Sequence, residues 1–359
     1  MTQIAGEANP RVNALVRRAN EIVSVKDFGA KGDGVTDDTT AIQAAIDAAG
    51  SASGGIVFFP PGFYKTTSAL TVTAGIIVQG SGLGAAGASP DGTVIRNGAA
   101  AGDVFDVQYS DSVQFRDFRI DCPSFTKASG TAGIRLAGTG GSGNTSRNCR
   151  ITNVFIVNMY DGVLTEATQK LVANGLHVID YLNIGLYLKQ TGGTDSGGNS
   201  VTDCTFWDLN VGTSKEGIRY DKGGALSIMG TKFQGSDYNF RMELDAGDTG
   251  TLLFSNNSFE EAQISAIKLG RDSVATSNRF GNVAIVGNEF STITDPVGMG
   301  NMVQIDEEGG TTNPDWIKNV NITENVFNMV ITSGVSAIDI GNAEGGLVAH
   351  NVINGNDQA

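Results

Sequence analysis

Asn257-Ser-Phe-Glu-Glu-Ala-Gln-Ile-Ser-Ala-Ile-Lys-Leu-Gly270 decides the fold. It holds an Asn-x-Phe corner, a short polar turn, and then a strand with alternating side chains. The plan recurs through most of the chain beyond about residue 113. Aligned by corner, it stacks Asp117, Asn153, Asn174, Cys204, Thr231, Asn257, Asn288, Asn325 and Asn351. Phe206, Phe233, Phe259, Phe290 and Phe327 follow two places after five of these. Aligned by strand, it stacks Gly133-Ile-Arg-Leu, Gly162-Val-Leu-Thr, Gly185-Leu-Tyr-Leu and Gly217-Ile-Arg-Tyr. Asn239-Phe-Arg-Met, Ala266-Ile-Lys-Leu, Met302-Val-Gln-Ile and Ala337-Ile-Asp-Ile continue the series. Corner spacings of about 21 to about 37 residues are those of a solenoid.

Each repeat is too short for a strand–helix–strand unit, and none beyond residue 50 has helical periodicity. Apolar residues at alternate places bury one face of each strand. A single coil cannot bury that face alone, whereas stacked coils do, each pairing its backbone with the coils above and below. Equivalent side chains then lie about 4.8 Å apart. Asparagine suits such corners because it tolerates left-handed backbone and its amide can bond to the next asparagine. The phenylalanines form an internal stack. The expected fold is all-β: a right-handed parallel β-helix with an N-terminal capping α-helix.

The chain has 359 residues, 49 of them glycine, and a formal net charge of -14. That charge argues against nucleic acid and anionic membrane surfaces as partners. Cys122, Cys149 and Cys204 show no metal-type spacing, and two histidines complete the usual ligand supply, so no metal and no cofactor are expected. Residues 1–20 lack the apolar core of a secretory signal, and no segment is apolar enough for membrane insertion. The expectation is synthesis in a cytoplasm.

Residues 1–23 read as an N-terminal arm with a weak amphipathic helix carrying Arg11, Arg17 and Arg18. It is either a flexible arm or an attachment and trimer-contact segment. Residues 24–80 read as the cap helix and first coil. Gly32 and Gly34 permit a tight turn. Asp38 or Thr39 can cap a helix starting near residue 39, whose apolar stripe is Ala41, Ile42, Ala45, Ile46 and Ala49. Such a helix on the open end of a solenoid would shield apolar side chains and block strand addition. Asp33, Asp37 and Asp38 are assigned to this cap.

Asp27–Thr39 and Ala41–Ile46 (DFGAKGDGVTDDT, AIQAAI), then Phe59–Tyr64 (FPPGFY) and Gly75–Gly82, closely resemble the start of the pectate-lyase-superfamily domain of phage tailspikes and related polysaccharide-degrading enzymes. The resemblance covers about 60 residues and implies a trimeric, rod-shaped β-helix that binds bacterial surface glycans and often cleaves them. It names no catalytic residue. Residues 81–359 form the β-helix body, with Gly-rich turns at Gly82–Gly92 and Gly138–Asn144. The last corner, Asn351, leaves an open coil that needs a cover from elsewhere.

In the aligned strands the second residue points inward, so the third and fifth point outward. The third places read Arg135, Leu164, Tyr187, Arg219, Arg241, Lys268, Gln304, Asp339; the fifth read Ala137, Glu166, Lys189, Asp221, Glu243, Gly270, Asp306, Gly341. Stacked cations repel unless balanced. Two readings follow: a self-neutralising surface lattice, or a groove where Arg219, Arg241 and Lys268 hold an acidic sugar beside working carboxylates. Asp221 and Glu243, one coil apart, would match the roughly 5 Å of a retaining hydrolase; Glu243 and Asp306, two coils apart, approach the inverting separation of roughly 9 Å. Glu260, with Glu261, offers another carboxylate. Trp207 and Tyr187 could stack on sugar rings, whereas Tyr220 points inward; Trp316 is equally suited to a subunit contact. Asp245 and Asp248 are too thin a basis for calcium. His177 and His350 have no evident nucleophile.

The expected function is a phage tailspike, or related receptor-binding protein, in the virion. It would form a homotrimer, join a tail or baseplate protein through its N-terminal arm, and bind and hydrolyse bacterial capsule or O-antigen. A non-enzymatic tail adaptor and a polysaccharide lyase are the alternatives.

Overall fold

The computed structural model describes residues 22–51, 54–73, 75–84, 91–97, 102–108, 110–122, 128–137, 146–166, 168–189, 197–208, 215–221, 224–244, 250–271, 281–292, 301–305, 317–331, 336–341 and 343–357. The arm residues 1–21, Asp245, Asp248, Asp306 and Trp316 lie outside them.

The chain winds as a right-handed parallel β-helix. A ten-stranded sheet runs from Leu70–Val72 to Ile338–Ile340, and a 21-stranded sheet forms the remaining wall. The larger sheet bends at one left-handed residue per coil. Before the bend lie strands such as Leu226–Met229, Leu252–Ser255 and Val283–Val286. After it lie Lys232–Gln234, Ser258–Glu260 and Glu289–Ser291. These are called the pre-corner and post-corner strips. Lower in the rod one strand serves both: Arg150–Val157 and Val172–Ile179 run straight across the bend at Asn153 and Gly175.

Stacking places like on like. Phe206, Phe233, Phe259, Phe290 and Phe327 form one internal column with centroids 4.6 to 5.4 Å apart and planes within 18° of parallel. Asn257, Asn288, Asn325 and Asn351 form a second. Nδ2 of each of the first three donates to Oδ1 of the next at 2.9, 3.0 and 2.9 Å. The same Oδ1 accepts the backbone N–H of the residue below, and Nδ2 also reaches a main-chain carbonyl, as Asn288 does to Phe254. Both amide donors and both acceptor sites of a buried side chain are thereby used, which offsets its desolvation.

The corner alignment needs a shift in its early members. Strand register puts Phe118, Val154 and Leu176 level with Cys204, Thr231 and Asn257. Asp117 and Asn153 sit one place earlier, and Asn174 pairs with Thr202. The left-handed residue is the one before each ladder asparagine: Asn256, Gly287, Glu324 and His350. Bending falls to that residue, so the asparagine is free to turn its amide inward.

The cap helix α1 (Thr39–Ser51) buries Ile42, Ala45, Ile46 and Ala49 against the first coil. Asp38 holds the preceding turn rather than the helix, accepting N–H bonds from Lys31 at 2.6 Å and Gly32 at 3.0 Å. Asp37 takes the Thr39 N–H at 3.0 Å, and Asp33 closes on Val35 and Thr36. All three acids have this structural work. Gln43 accepts from Thr71 N–H and donates to Thr71 carbonyl, both at 2.9 Å. Its amide satisfies the exposed edge of the first strand of the ten-stranded sheet, which would otherwise invite strand addition. At the other end Val348 and Ile353, in register with fully buried Ile322 and Phe327, are 52% and 57% exposed.

Candidate functional site

The outward ladder of the ten-stranded sheet has the register read from sequence. Arg135, Leu164, Tyr187, Arg219, Arg241, Lys268, Gln304 and Asp339 are successive partners. Glu166, Lys189, Asp221, Glu243 and Gly270 form the neighbouring column. Gly217 lets the coils close up here, since a Cβ on it would meet the Asn239 carbonyl oxygen at 2.5 Å.

Charges interlock across the central strands Ile184–Lys189, Glu216–Asp221, Tyr238–Leu244 and Ser265–Arg271. Arg219 Nε meets Asp221 Oδ1 at 2.9 Å, and its Nη2 meets Glu243 Oε2 at 2.9 Å. Arg241 Nη2 bonds Glu243 Oε1. Tyr187 donates its hydroxyl to Asp221 Oδ2 at 2.5 Å, while the Arg219 guanidinium lies 5.4 Å from the Tyr187 ring centre. All four oxygens of Asp221 and Glu243 are therefore engaged, and Arg219 fills the space between the two carboxylates. Burial raises the Tyr187 phenol, and the Asp221 hydrogen bond raises it further. Burial works against the Arg219 charge, but Asp221 and Glu216 outweigh it and raise that pKa.

The carboxylate that sequence reading missed is Glu216, at the first position of its strand and 4% exposed. Its Oε1 lies 3.1 Å from Arg241 Nη1 and 3.6 Å from Arg219 Nη1. Its buried Oε2 has no hydrogen-bond partner among the described residues. Burial pushes its pKa up to about 7, against the opposing pull of Arg219 and Arg241. The only sequence signal was an acid three places before Arg219, just ahead of a strand that otherwise alternates. Two coils lower in the same register, Asp161 is also buried. Burial pushes it up to about 6, although Asn183 Nδ2 and Ile184 N–H donate to it at 2.8 and 3.2 Å.

Lys268 Nζ and the Arg241 guanidinium approach the Tyr238 ring at 5.8 and 5.1 Å from its centre. Gly270, beside Lys268, is buried, and a Cβ added there would meet the Met242 carbonyl oxygen at an ordinary contact distance of 3.6 Å. Arg219, Arg241, Lys268, Tyr187, Asp221 and Glu243 are thus one cluster. Trp207 and Glu260 are not part of it. Both lie on the post-corner strip, in one column through Gln234. Trp207 is half-buried rather than exposed, and Glu260 is bound to Lys232 Nζ at 3.0 Å. Strand order explains the miss: both residues belong to the strip before the turn that leads into the site. Tyr220 is buried, as its inward place requires.

A buried-core parallel β-helix with a charged outward ladder on one sheet is the class these features define. The chain belongs to the rhamnogalacturonase A/epimerase, pectate lyase-like family, whose sequence profile matches residues 22–241. Alginate lyase 7 of Azotobacter vinelandii is 52% identical over 68 residues, which are 17% of this chain and 8% of that enzyme. The chain thus spans a small fraction of the curated relative it matches. Among solved structures, a tailspike protein mutant of E. coli bacteriophage HK620 in complex with a pentasaccharide is similar with a TM-score of 0.68 at 13% identity, covering 98% of this chain and 68% of that one. The A-module of the Azotobacter vinelandii mannuronan C-5 epimerase AlgE4 gives 0.53 at 21% identity, covering 91% and 99%. At these identities the likeness shows the fold.

Proposed function

We propose that this protein binds bacterial surface polysaccharide, capsule or O-antigen, and hydrolyses it on the ten-stranded sheet. Glu216 carries the reading: a buried carboxyl with one unengaged oxygen, held between two arginines at the margin of the ladder. Hydrolysis needs a proton delivered to the departing glycosidic oxygen, and a carboxyl titrating near neutrality suits that task. Arg219 and Arg241 stabilise the carboxylate left behind. Asp161 is the second carboxyl. Two strand steps put its backbone roughly 10 Å from that of Glu216, close to the about 6.5–9.5 Å that lets an inverting hydrolase admit a water. Asp161 takes a proton from that water as its oxygen bonds to the sugar carbon. The old carbon–oxygen bond breaks as Glu216 protonates the leaving oxygen.

In this reading Asp221 and Glu243 orient the arginines, while Arg241, Lys268 and Tyr238 hold the sugar. The fold likeness to the HK620 tailspike supports placing the protein in a virion; a homotrimer joined to the tail through residues 1–23 is the remaining part of this proposal and rests on the sequence resemblance alone. A lyase is the second reading, favoured by the match to alginate lyase 7.

The test is incubation with purified capsular and O-antigen polysaccharides, followed by mass analysis of the products. Hydrolysis yields fragments carrying added water, and Glu216→Gln lowers their rate by about 10²–10⁴-fold. Products that absorb in the ultraviolet without added water would establish the lyase instead. Intact polymer throughout would leave the non-enzymatic adaptor.

A further inference from the structure

The post-corner strip carries a second surface whose composition has no role in the core. Its first outward column includes Arg119, Phe155 and His177 on successive strands. The second runs from Arg96 through Asp121 and Val157 to Ile179 and Trp207. The Arg119 guanidinium lies 4.7 Å from the Phe155 ring centre, and the Phe155 and His177 rings are 5.9 Å apart, tilted by 34°. Four strand steps from Arg96 to Trp207 cover about 19 Å. Outward side chains gain nothing from the interior, so a run of rings and guanidiniums here calls for a surface explanation.

Between Arg96 and Trp207 the outward columns of this strip carry two arginines and one carboxylate, Asp121. On the ten-stranded sheet, Glu216, Asp221 and Glu243 enclose two arginines. On the strip, Asp121 is the single ion-pair partner of Arg119 among the described residues, and the Arg96 guanidinium lies 3.9 Å from the Phe63 ring centre. Asp121 stands 3.9 Å from Arg119 Nε, beyond hydrogen-bond range. Burial and the nearby Arg96 both work against the Arg119 charge, with Asp121 opposing them. Two buried donors, Arg119 Nε and Trp207 Nε1, have no hydrogen-bond partner among the described residues. A positive floor with flat rings and unengaged N–H groups matches a sugar chain bearing carboxylates: guanidinium takes the carboxylate, rings take the apolar sugar faces, and the indole N–H takes a hydroxyl.

We propose that the strip from Arg96 to Trp207 is a second glycan-binding surface, separate from the ten-stranded sheet, and that its ligand is a uronate-bearing polysaccharide. It holds polymer and does no bond-breaking chemistry. Its existence does not depend on hydrolysis at Glu216.

The probes are oligosaccharides of mannuronate, guluronate and galacturonate, with neutral dextran oligosaccharides for comparison, measured by calorimetry and indole fluorescence. At least one uronate series binds the parent protein, with affinity falling as salt rises, and dextran does not. Arg119→Gln weakens that binding at least tenfold, whereas Arg241→Gln leaves a component unchanged. Trp207→Phe, which keeps a ring and so preserves folding, removes the fluorescence response and weakens binding less than Arg119→Gln does. No uronate binding by the parent would overturn the proposal. So would binding that survives Arg119→Gln and vanishes with Arg241→Gln, which would put all of it on the other sheet. A self-association seen by light scattering and abolished by Arg119→Gln would also overturn it, since the strip would then be covered by a second copy of this chain.

Discussion

The asparagine and phenylalanine columns inside the rod and the charged ladder outside it obey the same stacking geometry with opposite chemistry. Inside, Asn257 to Asn351 and Phe206 to Phe327 repeat one residue type, because each copy satisfies or packs against the next. Outside, Tyr187, Arg219, Arg241 and Lys268 change from coil to coil, and Asp221, Glu243 and Glu216 hold the like charges together. Repetition in a solenoid marks what builds it. Departure from repetition marks where it meets something else.

The sharpest way to break this contrast is to interrupt an internal column. Phe259→Ala removes a ring stacked on both sides and should cost about 3–5 kcal/mol of unfolding free energy, read by chemical denaturation. A cost below about 1 kcal/mol would mean that the column is not a core element.

The outward ladder should show itself in pH dependence. Glu216 has a folded pKa raised to about 7 from 4.5, so the folded state holds its proton more tightly than the unfolded state. Its stabilising contribution is fully present below about pH 4.5 and is lost as pH rises through about 7. That loss should amount to about 2–4 kcal/mol, and Glu216→Gln should remove this part of the slope. Asp161, raised to about 6, adds a decline of the same sign that begins near pH 4. A Glu216→Gln profile parallel to that of the parent would show that the carboxyl is not buried as described.

Asn288→Ala leaves donors on Asn257 and an acceptor on Phe254 unpaired in the interior, with an expected cost of about 2–3 kcal/mol by thermal or chemical unfolding. The smallest effect belongs to the rod's end. Gln43→Ala should cost about 1–2 kcal/mol through two lost hydrogen bonds. It should also raise concentration-dependent association, detectable by sedimentation, by exposing the Thr71 strand edge.

Much of the site's frame was legible because the pleat has a period of two. Once the Gly217-Ile-Arg-Tyr and Asn239-Phe-Arg-Met segments were aligned, Arg219 had to lie beside Arg241 and Asp221 beside Glu243. The early corners were misjudged for the same reason that the later ones were right. From Asn257 to Asn351 an amide must face its neighbour, which pins the register. At the early bends Asn153 Nδ2 also donates to Asp117 Oδ1, at 2.8 Å. These two, however, are the left-handed bend residues themselves and so sit one place before the ladder position, while Asn174 pairs with Thr202.

Sequence by itself determined the solenoid, the cap helix, the internal columns and the order of the outward ladder, because all of these follow from periodicity and nearest-neighbour stacking. Tertiary structure alone decided which face each strip presents, so that Trp207 and Glu260 left the charged cluster. It also decided that Glu216 sits buried between two arginines with an oxygen to spare. Burial and charge pairing across coils depend on how each turn delivers its strand, and turn geometry has no period to read.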